Sequence, residues 1–206
     1  MDLQFHGANA ISLSHKGTRI VIDDNLAQLG GKGIVKPDDV ALYTLPTEDR
    51  PKARLVFDSP GEYEVADISV IGIPARAHMD EGGLRATMFK LVVGDQSVLI
   101  TGHIFPKLTD DELETIGMID VMFVPVGGNG YTVDPVGALQ LIKAVEPKIV
   151  IPTHYSDKAL KFEVPQQDLS NALKELGMEP KETISKLKLK PTELSDTTQL
   201  IILEKS

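Results

Sequence analysis

The chain has 206 residues, 42% hydrophobic and 25% charged, enough to bury a full core, and no cysteine. Without cysteine there are no disulfides, thiolate nucleophiles or cysteine zinc knuckles, so a metal must be held by histidine and carboxylate. A net charge of -9 argues against the cationic stripe of a nucleic-acid binder and for a small-molecule partner.

The opening MDLQFHGANA has neither a basic flank nor a long apolar core. No window approaches the roughly 18 continuous apolar residues of a membrane span. The expectation is a cytoplasmic protein with no membrane and no nucleic-acid partner, in a single domain over residues 1–206.

In chain order, Ala10 to Leu13 and Arg19 to Asp23 flank the turn His15-Lys16-Gly17-Thr18, a hairpin signature. Strands are predicted at 39–43, 55–57, 62–65 and 68–73, with Pro60-Gly61 as punctuation. A second hairpin joins 86–93 to 97–101 through Gly94-Asp95. The pattern then changes. A short helix is predicted over 107–117, a strand over 119–125, and a helix that starts at Asp134-Pro135 and closes before Pro147. A strand over 148–152, an amphipathic helix over 165–176 ended by Gly177 and a closing strand over 199–203 complete the chain. Hairpins followed by strand-helix alternation favour sheets packed with helices outside them.

Of the five histidines, His6, His15, His78, His103 and His154, the last three follow apolar strands by a few residues. Strand ends on one sheet edge converge, so a shared site is one reading, and imidazole with carboxylate suits zinc, manganese or iron. Scattered loop histidines are the other, because no spacing here is as diagnostic as HExxH. His15 reads as a solvated turn residue. His6 reads as a strand-end ligand or as a histidine satisfied by hydrogen bonds.

The blocks Phe5-His6-Gly7, Ile20 to Asp23, Leu42-Tyr43-Thr44, Ala77-His78, Ile100 to His103, Ile119 to Asn129 and Ile151 to Tyr155 fall in an order that resembles the metallo-β-lactamase superfamily. Within it the chain is similar to the compact bacterial metal-dependent hydrolases of the L-ascorbate-6-phosphate lactonase kind. The resemblance implies an α/β fold, a four-layer αββα sandwich with the metal site at one edge, and assembly into homo-oligomers.

The family's T-H-x-H-x-D-H loop falls here on Thr44-Leu45-Pro46-Thr47-Glu48-Asp49-Arg50. Leu45, Thr47 and Arg50 stand where the family has histidines, so its two-metal centre cannot be assembled. His78 and His154 match family ligands, and His103 stands where the family has a bridging aspartate. The resemblance thus implies one rebuilt mononuclear site of Asp49, His78, His103 and His154 holding Zn, Mn or Fe, with Asp49 as ligand or general base. Gly128 and Asn129 are candidate substrate contacts, or only a tight turn. The expected function is metal-dependent hydrolysis of a small ester, lactone or phosphoester. The alternative is a catalytically inactive binding or scaffold protein on the same fold. A nuclease-like member is disfavoured by the acidic charge.

Overall fold

The computed structural model describes residues 1–47, 51–79, 85–189, 194–195 and 197–206. Strands β1 (Asp2–Gly7), β2 (Ala10–His15), β3 (Thr18–Ile22), β4 (Val40–Leu42), β5 (Leu55–Phe57) and β13 (Leu187–Lys188) form one sheet in the order β13-β1-β2-β3-β4-β5. The second sheet contains β6 (Gly61–Val65), β7 (Ile68–Ala75), β8 (Ala86–Val93), β9 (Gln96–Ile100), β10 (Val121–Pro125), β11 (Ile149–Thr153), β12 (Pro180–Ile184) and β14 (Gln199–Leu203). Its order is β12-β14-β11-β10-β9-β8-β7-β6.

Both sheets are mixed. The β2–β3 hairpin turns on Lys16 and Gly17, both with positive φ, the geometry whose twist matches that of the flanking strands. By contrast, β9, β10, β11 and β14 run parallel. Such strands are covered on both faces, and β10 and β11 are buried at every residue.

Alternation along β10 divides the interior. Val121 and Phe123 face the space between the sheets with Leu3, Leu13, Ile20 and Phe89. Met122 and Val124 face outward, against Ala138, Leu141, Ala172 and Leu176 of the helices. Burying each large apolar side chain contributes about 1.5–3 kcal/mol. The predicted sandwich is therefore present. Helices α1 (Asp110–Ile116), α2 (Pro135–Val145) and α3 (Leu169–Leu176) supply residues to the cluster outside the eight-stranded sheet. A separate small cluster of Ala8, Ala10, Leu26 and Leu160 gathers Leu29, Ile34 and Phe162 from irregular segments.

Two helices are shorter than predicted. The 107–117 helix begins only after Thr109, whose side chain and Glu112 form a reciprocal capping box. Residues 165–168 are pulled out of the 165–176 helix: the Gln167 N–H donates to Gly127 O and its carbonyl accepts from Ser156 N. This departure carries Gln166 to the site. The Asp134 cap is as predicted, its carboxylate accepting from Gly137 N at 2.7 Å.

Parallel β9, β10 and β11 all deliver their carboxyl ends to one edge, where open α/β sheets build sites. In the facing sheet the carboxyl ends of parallel β3 and β4 lead to Asp23 and Thr44.

Candidate functional site

His154 follows β11 directly, in a left-handed conformation with φ 53°. Its backbone N–H donates to Ala8 O at 2.8 Å, tying the end of β11 to the β1–β2 turn. Its Nδ1 lies 3.1 Å from Gln166 Oε1. The Gln166 amide is oriented by its own Nε2, which donates to Val164 O at 2.7 Å. A carbonyl oxygen can only accept, so the His154 proton sits on Nδ1 and Nε2 keeps its lone pair. A Cβ on Gly127 would stand 2.0 Å from His154 O and 2.1 Å from Gln166 Oε1, so glycine is required at the end of β10. Burial lowers the His154 pKa to about 4, which keeps the ring neutral near pH 7.

His103 enters from β9 through Gly102, at φ 62° and so close to Thr44 that an added Cβ would meet the threonine Cβ at 2.4 Å. The His103 and His154 rings meet edge to face, centroids 4.7 Å apart at 84°. Tyr131 closes against both, at 5.5 and 5.8 Å. Burial, with His154 and His78 nearby, holds the His103 pKa well below the usual histidine value. Behind the ring, Asn9 Nδ2 lies 3.1 Å from Nε2, and Thr153 Oγ1 donates to Asn9 Oδ1 at 2.8 Å.

Asp23 ends β3 on the opposite wall, in a left-handed conformation. Thr44 donates to it twice, from N to Oδ1 at 2.7 Å and from Oγ1 to Oδ2 at 2.6 Å. Burial nevertheless dominates and pushes its carboxyl up to about 6. Asn9, Asp23, His103, Tyr131 and His154 line a cavity of about 130 Å³, with Lys161 and Glu163 also on its wall. This space suits a small reactive group, being well below the roughly 300 Å³ of a drug-sized pocket.

Of the expected metal set, the structure brings His103 and His154 together, edge to face. His78 joins them through its backbone, donating N–H to His103 O at 2.8 Å. Its half-buried ring leaves Nδ1 without a partner among the described residues. Asp49 lies outside the described residues. Among those described, no three His, Asp or Glu side chains are gathered to hold a metal ion. Both Asp23 oxygens are engaged by Thr44, and Asn9 occupies His103 Nε2. The described donors are thus not assembled into a metal centre, mononuclear or dinuclear.

The two candidate substrate contacts, Gly128 and Asn129, lie in a hydrogen-bonded turn. The Asn129 side chain donates to Pro165 O, and Gly128 donates its N–H to Val133 O. His6 is satisfied by Ser12, its Nε2 lying 2.8 Å from the hydroxyl. Asn9, Asp23, Tyr131 and Gln166 were not singled out from sequence. Only Asp23, an acidic residue at the end of an apolar strand, carried a visible signal.

Comparisons agree with this architecture. The chain is 26% identical over 155 residues to a UPF0173 metal-dependent hydrolase of Thermococcus onnurineus, covering 72% of this chain and 67% of that one. It is 40% identical over 67 residues to another of that name from Salinibacter ruber, covering 32% and 29%. Among solved structures, a Thermotoga maritima protein assigned as a Zn-dependent hydrolase of the metallo-beta-lactamase superfamily superposes with a TM-score of 0.74 at 24% identity. That superposition covers 98% of this chain and 97% of the other. A metallo hydrolase from Ignicoccus hospitalis gives 0.57 at 18% identity, covering 85% and 90%. The profile of the beta-lactamase superfamily domain matches residues 2–154, and the chain belongs to that family.

Proposed function

We propose that the chain is a hydrolase of a small ester, lactone or phosphoester, bound in the cavity between His103 and His154. The observation that carries this is the facing pair of buried, neutral imidazoles at the carboxyl ends of β9 and β11. The relatives named metal-dependent hydrolases support the reaction class.

His154 Nε2, held by Gln166 behind it, is an acceptor that can orient a water against a bound carbonyl or phosphoryl centre. With its pKa depressed to about 4, it is a weaker base than a histidine poised near neutrality, so placing the water matters more than removing its proton. Lys161, on the cavity wall, supplies a cation for an anionic substrate group. A divalent ion would lower the pKa of a bound water and polarise the scissile bond. Because the described donors do not assemble a centre for one, no step is assigned to it.

A second reading, a binding protein without turnover, is favoured by the weak basicity of His154 and by Leu45 and Thr47 in the loop where the resemblance places metal-binding histidines. Elemental analysis of the purified chain, followed by assay against lactones, esters and phosphodiesters, separates the two. Turnover that disappears in His154→Ala supports the hydrolase. Saturable ligand binding with no turnover by the wild type supports the binding protein. Stoichiometric zinc, manganese or iron lost on His154→Ala would restore the one-cation set.

A further inference from the structure

We infer that Asn9 is a positioning residue that fixes the tautomer of His103, so that this ring presents an Nδ1–H donor, rather than a lone pair, toward the substrate oxygen. The inference rests on the hydrolase reading for its consequence, though not for its geometry.

The inference follows from the amide as placed. Thr153 Oγ1 lies 2.8 Å from Asn9 Oδ1, which can only accept, so the hydroxyl donates. The same amide places Nδ2 toward His103 Nε2 at 3.1 Å. An amide nitrogen can only donate, so Nε2 is the acceptor and the proton of the neutral ring resides on Nδ1. Asn9, His103 and Thr153 are exposed by only 4%, 8% and 1%, leaving little water to compete for these groups.

His154 is wired in the opposite sense. Its Nδ1–H is spent on Gln166, which leaves Nε2 as an acceptor. The two rings, 4.7 Å apart, thus offer complementary groups: an acceptor for the attacking water and a donor for the oxygen on which negative charge develops. This gives the imidazole at position 103 a use that needs no metal.

The test is a long-range proton–nitrogen NMR correlation of the 15N-histidine-labelled, substrate-free chain, with His103 assigned from the spectrum of His103→Ala. The expected pattern for His103 is a protonated Nδ1 and an unprotonated Nε2. In Asn9→Asp the carboxylate can only accept, so the proton should move to Nε2, and kcat should fall by about 10²–10³-fold with KM little changed. A purely structural Asn9 predicts the same tautomer in both. Asn9→Ala, which removes the amide donor without adding charge, should give a mixture of tautomers and serves if Asn9→Asp does not fold. A wild-type His103 protonated on Nε2 overturns the inference, whatever the assays show. Absence of turnover with the expected tautomer overturns the hydrolase reading and the catalytic use of the donor, but leaves the Asn9 assignment intact.

Discussion

His103 and His154 stand edge to face, 4.7 Å between centroids, at the carboxyl ends of two strands separated by β10. The contact spans 51 residues of sequence, but the parallel register of β9, β10 and β11 puts both strand ends on one edge. One ring is anchored by Gln166 and the other by Asn9, so the pair is held from behind on both sides.

Gly127→Ala should be destabilising, because the new Cβ meets the His154 carbonyl oxygen and the Gln166 amide oxygen at 2.0 and 2.1 Å. Overpacking of this kind costs about 1–3 kcal/mol, and more where backbone must move. Urea denaturation should show a lower midpoint, with loss of the His154 Nδ1–H signal if Gln166 is displaced. An unchanged midpoint would mean that the site is looser than described.

Gln166→Leu removes the acceptor for the buried His154 Nδ1–H while keeping most of the volume. The cost should be about 1–3 kcal/mol for the orphaned donor. His154 should lose its fixed tautomer, visible in the same NMR correlation. Retention of a single Nδ1–H tautomer would show that another group holds the ring.

Asp23 makes stability depend on pH in a defined direction. Its carboxyl rises from 3.8 to about 6 on folding, so between those values the folded chain binds more protons than the unfolded one. Its contribution to stability is complete below the unfolded pKa and is lost as pH rises through the folded one. Two pKa units correspond to roughly 3 kcal/mol as an upper figure. Asp23→Asn, which can still accept from Thr44 N and donate to Thr44 Oγ1, should be more stable than the wild type at pH 7. It should also flatten the decline between about pH 4 and 6. Parallel pH profiles of the two proteins, measured by chemical denaturation, would contradict this.

The sequence made local structure legible wherever one chemical preference dominated. Lys16-Gly17 marked a hairpin, Asp134-Pro135 a helix start and the apolar run at 148–152 a buried strand. Strands β12 and β13 were not legible: β12 has only Ile184 partly buried, and β13 has two residues. The early end of the expected 165–176 helix failed because a tertiary contact, Gln166 on His154, outweighed local helical periodicity. The same reason hides the site. Asn9 and Gln166 are polar residues in loops, and their roles arise from partners 94 and 12 residues away. His103 and His154 were legible because an imidazole after an apolar strand is unusual, whereas the turn roles of Gly128 and Asn129 depend on Val133 and Pro165.

The most direct test of the hydrolase is turnover of a panel of small lactones, esters and phosphodiesters by the wild type beside His154→Ala, both checked for folding by thermal melting. Measurable wild-type turnover is expected, falling by about 10²-fold when His154 is removed from a still-folded chain. Turnover indifferent to His154, or none with any member of the panel, would contradict it.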